Sequence, residues 1–167
     1  MTNTVNLDGF DLKILLALHE DGRLGNQELA DRIHLSPSQC SRRRIRLENN
    51  GVIRGYRAEL SMAQLGLGVV VFTRVSLAAH NGSNARRFGE FVRGIDCVIE
   101  AYSLTGDSDY LLKIVVPDLR SLSAVVNDVL LPHESVAQVR SSVVLETLKE
   151  LGTLPLSRVS TGQAAGS

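Results

Sequence analysis

The sequence has little of the residues that cross-link small folds or anchor membranes. It has no tryptophan, only two cysteines and no long apolar run. Cys40 and Cys97 lie far apart without a Cys-x-x-Cys pair, which argues against a disulfide framework or a zinc site and favours two small core residues. No apolar segment reaches the roughly 18 residues that a membrane span needs. Because Met1–Asn6 also lacks an export signal, we expect a cytoplasmic protein.

Familiar catalytic motifs are absent as well. The sequence contains no Gly-x-Ser-x-Gly, no phosphate-binding loop and no paired nucleophile and base. Its four histidines do not have the spacing of metal ligands. We therefore expect no enzyme, no metal and no cofactor.

The formal net charge of zero hides a strong local asymmetry. Six arginines and a single acidic residue, Glu48, lie between Ser36 and Arg57. A basic patch on a neutral protein attracts polyanions at one surface, and this favours docking onto nucleic acid.

The arginine-rich segment also has the start signal of a helix. Ser36, then Pro37 and then Gln39 form the pattern of a capping box. Asn26–Ile33 predicts a short helix in front of it, joined by a tight link. An arginine run alone is usually a solvated helix face, but two closely linked helices with the second one basic predict a helix-turn-helix that binds double-stranded DNA.

Helical geometry sorts the faces of this second helix. Cys40, Arg44 and Leu47 share one narrow arc, so the opposite arc faces solvent. We expect base contacts near the N-terminal end, where such helices enter the major groove. The candidates for these contacts are Ser38, Gln39 and Arg42. Ser36 is a further DNA-binding candidate, and the candidates for phosphate contact or for bridging to neighbouring helices are Ser41, Arg43 and Arg46.

The chain on either side of these two helices completes a first module. Leu7-Asp8 opens an earlier helix that ends at Asp21-Gly22. After the arginine helix, Val52–Leu60 is predicted to start an extended ribbon, a wing that would bring Arg54 and Arg57 near the DNA backbone. The first module is predicted to be a winged helix-turn-helix.

The second half predicts an α+β domain. From Val69 the side chains alternate as in a strand, and the following elements have the order β-α-β-β-α-β of a ferredoxin-like sandwich. The predicted helices are capped by Ser83-Asn84 and by Pro117-Asp118, and the second has Leu119 and Leu122 inward. Two helices cover one sheet face, so another subunit is expected on the other. The predicted domain bounds are 1–60, 61–68 for a linker, 69–152, and 153–167 for a mobile tail.

The turn Leu104–Tyr110 allows two interpretations. Asp107 and Asp109 could hydrogen-bond the local backbone of a hairpin turn. Alternatively, the turn's backbone N–H groups could bind the carboxylate of a free α-amino acid and an aspartate its ammonium group. A metal is disfavoured because hard cations need more oxygen ligands than this turn has.

Taken together, the motifs resemble the Lrp/AsnC (feast/famine) family of transcriptional regulators over about Leu7 to Leu156. The pieces that carry the resemblance are Leu7-Asp8-x-x-Asp11-x-x-Ile14-Leu15, Asp21-Gly22-Arg23, Glu28-Leu29-Ala30, Leu35-Ser36-Pro37-Ser38, Arg46-Leu47-Glu48, Gly51-Val52-Ile53-x-Gly55-Tyr56, Gly106-Asp107-x-Asp109-Tyr110-Leu111-Leu112-Lys113 and Pro117-Asp118. The resemblance implies a DNA-binding domain, a linking ribbon and a RAM/ACT-like ligand-sensing domain.

The same resemblance implies partners and a second site. It implies homodimers whose sheets pack together, commonly in a ring of four dimers, and an amino acid effector bound between subunits. The implied lining is Tyr102, Leu104, Gly106, Asp107 and Asp109, with Val136 and Gln138 as weaker candidates. Two alternatives stay open: an enzyme acting on modified tetrapyrroles, similar to siroheme decarboxylases, and a sensor or assembly module without DNA binding.

Overall fold

A computed structural model describes residues 5–79, 82–150, 152 and 154–156. The chain divides into two compact units. The first has the described residues up to Glu59 and from Lys149 onward, and the second is Leu60–Leu148. The four domain bounds given above stay predictions, and most of the range 153–167 lies outside the described residues. None of the described helices is long and apolar enough to cross a membrane.

The first unit contains the three helices that the sequence predicts. They are α1 (Gly9–Glu20), α2 (Asn26–Ile33) and α3 (Pro37–Asn49). The residues between α2 and α3 form a tight turn in which His34 has a left-handed backbone with φ of 60°. The helices bury an apolar core that includes Ile14, Leu18, Leu29, Ile33, Cys40 and Leu47. The helix-turn-helix is confirmed.

Hydrogen bonds at the start of α3 confirm the capping box. The Gln39 N–H donates to Ser36 Oγ at 3.3 Å, and the Ser36 N–H donates to Gln39 Oε1 at 3.1 Å. One turn later Cys40 is fully buried, and this burial raises the pKa of the Cys40 thiol although Arg43 nearby lowers it in part. The arc assigned to the core of the unit is therefore correct at both Cys40 and Leu47.

The predicted ribbon after α3 is not a paired strand. None of the described residues from Val52 to Gly68 belongs to a strand. The N–H groups of Val52 and Ile53 instead donate to the carbonyl of Leu47, at 2.9 and 3.1 Å, and so close the end of α3. These two donors are therefore not available to a neighbouring strand.

The second unit has the predicted order of strands and helices. Its elements are β1 (Val69–Leu77), α4 (Gly82–Arg93), β2 (Val98–Ser103), β3 (Tyr110–Val116), α5 (Leu119–Ala124) and β4 (Val136–Val143). The sheet has the order β2-β3-β1-β4, and all of its neighbouring strands are antiparallel. This topology confirms the ferredoxin-like sandwich.

Alternation along β1 separates the two faces of the sheet. Val71 and Val75 are fully buried against a core centred on Phe88, whose ring lies 4.7 Å from that of Tyr110, centroid to centroid. On the opposite face Phe72 is 38% exposed. The open face thus carries a large apolar side chain that the single chain does not cover.

Both helices of this unit differ from the prediction in detail. Helix α4 begins at Gly82, so Ser83 and Asn84 lie within its first turn, where the Asn84 amide donates to the carbonyl of Ala79 at 3.2 Å.

Helix α5 continues as a π-helical segment, Val125–Leu130. The sequence predicts that Leu119 points inward, but Leu119 is 61% exposed, whereas Leu130 is fully buried. The hydrogen bond from Leu131 N–H to the Val126 carbonyl shows the wider π turn. Leu119 precedes this segment, in the first turn of α5 beside the N-cap Asp118, while Leu122 packs against the core as predicted.

Candidate functional site

A buried carboxylate of α1 holds two arginines of α3. Asp11 is fully buried, and the Arg43 guanidinium donates to its Oδ1 at 2.8 Å. Arg46 donates to the other oxygen, Oδ2. Arg43 also reaches Asp8 Oδ2 at 2.7 Å. Of the two roles left open for Arg43 and Arg46, the structure shows the bridge to a neighbouring helix.

Asp8 and Asp11 are placed for this task by their own capping box. Asp8 is the N-cap of α1 and accepts from the N–H groups of Phe10 and Asp11, while Asp11 accepts from the Asp8 N–H at 3.0 Å. Partial burial by itself raises the pKa of Asp8, but the Asp11 N–H and the Arg43 guanidinium together lower it below its ordinary value. The charged carboxylate is therefore the form that the fold favours.

Arg44 contacts the chain that leaves α3. Its Nε donates to the Tyr56 hydroxyl at 2.8 Å and to Glu48 Oε1 at 3.2 Å, and its guanidinium lies 4.6 Å from the centre of the Tyr56 ring. A terminal nitrogen donates to the carbonyl of Leu24 at 3.1 Å. The sequence did not predict these contacts. Its only signal was that Arg44 lies on the same arc of α3 as the buried residues Cys40 and Leu47.

Arg42 remains available on the solvent side of α3. Arg42, Arg54 and Arg57 are exposed, and no carboxylate within the described part of the chain pairs with any of the three. Ser38 and Gln39 are exposed at the same end of the helix, and the Gln39 carbonyl oxygen is committed to the cap. Ser41 is half-buried.

The second candidate site is the turn between β2 and β3. The Leu104 N–H donates to the Asp109 carbonyl at 2.8 Å, and the Asp109 N–H donates to the carbonyl of Val75 in β1 at 3.0 Å. The Asp109 carboxylate accepts from the Leu77 N–H at 2.7 Å. Asp109 therefore fixes the turn to β1, as in the local backbone interpretation, although across strands rather than within the turn.

The tip of the turn has unused donors. Gly106 has φ of +114°, a conformation that side chains rarely adopt. Among the described residues, the N–H groups of Thr105, Gly106, Asp107 and Ser108 have no protein acceptor. Gly106 and Asp107 are exposed, so an anion in solution can approach the tip of the turn.

The structure brings most of the predicted effector residues together around the end of β1. Ser76 pairs with Gln138 and Leu77 with Val136 in the sheet register, and the Ser76 hydroxyl donates to the Asp107 carbonyl at 3.4 Å. Leu104 is 38% exposed beside the turn.

Tyr102 is a predicted effector residue whose hydroxyl bonds outside the turn. It is 49% exposed, and its hydroxyl donates to Glu100, whose hydrogen bond raises the pKa of the Tyr102 phenol.

Both modules match known protein families. Residues 7–54 match the model of a winged helix-turn-helix DNA-binding domain, and residues 70–154 match that of the Lrp/AsnC ligand-binding domain. The chain belongs to the Lrp/AsnC family. It is accordingly a transcriptional regulator with a DNA-binding helix-turn-helix and a ligand-binding domain.

Curated Lrp/AsnC relatives span nearly the whole chain. A leucine-responsive regulatory protein of Rhizobium meliloti is 39% identical over 150 residues, which cover 90% of this chain and 96% of the relative. A proline dehydrogenase transcriptional activator of Rhizobium radiobacter is 38% identical, covering 89% of this chain and 96% of the relative.

Solved structures of the Lrp/AsnC type have the same fold. A transcriptional regulator of Neisseria meningitidis, solved as a complex with L-Met, has a TM-score of 0.87 and 42% identity, covering 90% of this chain and 97% of that one. An AsnC family regulator of Agrobacterium tumefaciens has a TM-score of 0.86 and 34% identity, covering 92% and 100%.

Loss of the buried carboxylate should loosen the three-helix unit. We expect Asp11→Ala to lower the free energy of unfolding of this unit by about 2–3 kcal/mol. This is less than the roughly 3–5 kcal/mol typical of breaking a fully buried pair, because Arg46 is half exposed. The measurement is hydrogen exchange of the α1 and α3 amides in urea. Asp31→Ala, which loses one exposed hydrogen bond to Gln27, is the matched control. Equal protection in both variants would contradict a structural role for Asp11.

Acid should weaken the same unit through Asp8. The folded-state pKa of Asp8 is lowered, so its contribution is present above the unfolded pKa of about 3.9 and is lost as pH falls through the folded pKa. Amide protection in α1 should therefore fall below about pH 4 in the wild type. In Asp8→Asn, amide protection in α1 should already be lower at neutral pH and should fall less on acidification. Parallel curves of protection against pH in the two proteins would refute this.

Proposed function

We propose that α3 binds the major groove of a roughly palindromic operator as part of a dimer, and that a free amino acid at the Gly106 turn alters this binding. The observation that carries the proposal is the division of labour among the arginines of α3. Arg43, Arg44 and Arg46 are held by the protein's own side chains, whereas Arg42 is exposed and unpaired within the described residues. An unpaired guanidinium on the outer face of a capped helix suits a guanine edge.

The remaining contacts follow from position on the same surface. The proposed base contacts are Ser38, Gln39 and Arg42. Gln39 would contact a base through its side-chain NH₂ group, because its side-chain oxygen accepts a hydrogen bond in the cap. The proposed phosphate contacts are Ser36, Ser41, Arg54 and Arg57. Arg43 and Arg46 act mainly by holding α3 against α1, with Arg46, at 46% exposure, able to reach phosphate as well.

The proposed effector is a free α-amino acid. The N–H donors at Thr105–Ser108, which have no acceptor among the residues that the structure describes, suit its carboxylate, and Asp107 or Asp109 suits its ammonium group. The Neisseria relative was solved with L-Met, which supports this ligand class but leaves the side chain open. Because the turn is on the surface of one chain, a neighbouring subunit would complete the pocket, and a ligand that binds one assembly better would favour it.

We further propose that a second copy of the chain covers the open sheet face. Phe72 is 38% exposed there, and Leu145 and Leu148, just after β4, are 99% and 88% exposed. Apolar surface of this kind favours association. A dimer, and by resemblance a tetramer of dimers, is the proposed assembly. The proposed location is the cytoplasm, and the proposed role is regulatory rather than enzymatic, which the names of a regulatory protein and a transcriptional activator among the relatives support.

Arg42→Ala should weaken operator binding and relax its sequence preference. A base-edge contact is worth about 1–3 kcal/mol, which is roughly 5- to 150-fold in affinity. Arg57→Ala should instead weaken all duplexes alike and lower the salt slope by about 1. Fluorescence anisotropy on duplexes selected with the wild type, at several salt concentrations, measures both. Arg32→Ala is the control because Arg32 lies on α2 and pairs with Glu20 of α1; Arg42→Ala behaving like this control would exclude Arg42 as a base contact.

The effector proposal is tested on the two aspartates of the turn. A thermal-shift screen of the twenty amino acids should identify a stabilising ligand. Asp107→Asn or Asp109→Asn should then abolish the shift, because one of them loses the charge that pairs with the ammonium group. In Asp109→Asn the side-chain amide oxygen can still accept from the Leu77 N–H, so the turn is kept. Asp96→Asn, on an exposed loop of the same unit, should respond like the wild type; an unchanged shift in both turn variants removes the turn from the site.

A further inference from the structure

Three side chains join the recognition helix to the chain that leaves it. Arg44 and Glu48 lie one turn apart on α3, and Tyr56 lies beyond the helix end. Arg44 Nε and Glu48 Oε1 are each 2.8 Å from the Tyr56 hydroxyl, one as donor and the other as acceptor. Arg44 also stacks on the Tyr56 ring. We call Arg44, Glu48 and Tyr56 the exit clamp.

The exit clamp is more than an exposed ion pair. The Arg44 side chain is only 23% exposed, and it makes four contacts with three segments, including the Leu24 carbonyl in the turn before α2. The Tyr56 ring also lies beside the turn after α1, since a Cβ placed on Gly22 would lie 3.5 Å from its Cδ1 atom. Burial, together with the bond to Glu48, raises the pKa of the Tyr56 phenol, so the hydroxyl stays a donor.

Two glycines bring Tyr56 back to α3. Gly51, just after the helix, has φ of +68°, and Gly55, just before Tyr56, has φ of +151°. Neither conformation is easy for a residue with a side chain. The backbone is therefore built to fold the exit segment onto the helix, where the clamp then fixes it.

The clamp shortens the free connection to the second unit, which begins at Leu60. Without it, this connection from α3, Val52–Glu59, could span up to about 28 Å when extended; with Tyr56 fixed, only Arg57–Glu59 of this connection stays free, with a reach of about 10 Å. We propose that the exit clamp makes Arg44 a positioning residue for DNA binding, restricting the distances at which the two recognition helices of a dimer can contact their half-sites. The proposal rests on the proposed DNA-binding function.

The test compares duplexes that differ only in half-site spacing. Two copies of a half-site selected with the wild type are placed at the best spacing and with about 5 bp added, half a helical turn. The wild type should prefer the first strongly. Arg44→Leu should reduce that preference at least fivefold, while affinity for a single half-site changes less than twofold. Arg32→Leu, the same change on α2 and outside the exit clamp, should keep the wild-type preference.

A second variant separates the clamp from general damage to the fold. Tyr56→Phe keeps the ring but loses both hydrogen bonds, so it should relax the spacing preference partly. In a variant with both Arg44→Leu and Tyr56→Phe, the loss of spacing preference should be smaller than the sum of the two separate losses, because either change opens the same clamp. Hydrogen exchange should rise over Val52–Arg57 in each variant while the amides of α1 stay protected.

The outcomes are distinct. Faster exchange over Val52–Arg57 with an unchanged spacing preference would overturn the positioning role. A wild type that binds DNA equally at both spacings would overturn it too and would leave DNA binding itself intact. A wild type that binds no duplex would overturn the proposed function and the positioning role with it.

Discussion

The DNA-binding unit depends on one buried carboxylate. Asp11 has no exposure to solvent, yet two guanidinium groups converge on it from α3. Removing a charge from water is costly unless it is paired and fully hydrogen-bonded, so the position of α3 relative to α1 is fixed within narrow limits. The same interaction decides which arginines are left for DNA. Arg43 and Arg46 are drawn toward α1, and Arg42 is left outside.

The start and the buried face of α3 could be predicted from local sequence. The residues of other segments that contact the arginines of α3 could not. The capping box at Ser36 and the buried arc of Cys40 and Leu47 depend on neighbours within one helix, so the spacing of the residues revealed them. The roles of Asp11 and Tyr56 depend on which helix packs against which. For Asp11 the only hint was its spacing of three residues from Asp8 at a helix start, and that spacing fits a simple cap equally well. For Tyr56 the only hint was that Arg44 lies on the buried side of α3.

The errors in the second unit have local physical causes. Leu119 is 61% exposed at the first position of α5, whereas Leu122, one turn later, packs against the core. A helical period assigns both residues to the same face and does not show where the end of the helix leaves the core. The order of strands and helices along the chain was predicted correctly because alternation and turn residues are local signals. The role of the Gly106 turn was only half predictable: the glycine marked the turn, but the bond from Leu77 N–H to Asp109 joins residues distant in sequence. One aspartate thus links the turn to the register shift between Ser76 and Leu77, next to the proposed effector residues of β4.

The burial of the Cys40 thiol on α3 also limits its reaction with oxidants. A cysteine becomes reactive as the thiolate, and the pKa of the Cys40 thiol is raised by its burial. It lies on the inner arc, with no exposed surface, although it neighbours the arginines that would attract anions. Peroxide or an electrophile could therefore reach Cys40 only when the three helices open. In the folded state, DNA binding through α3 would be insensitive to redox chemistry at this residue.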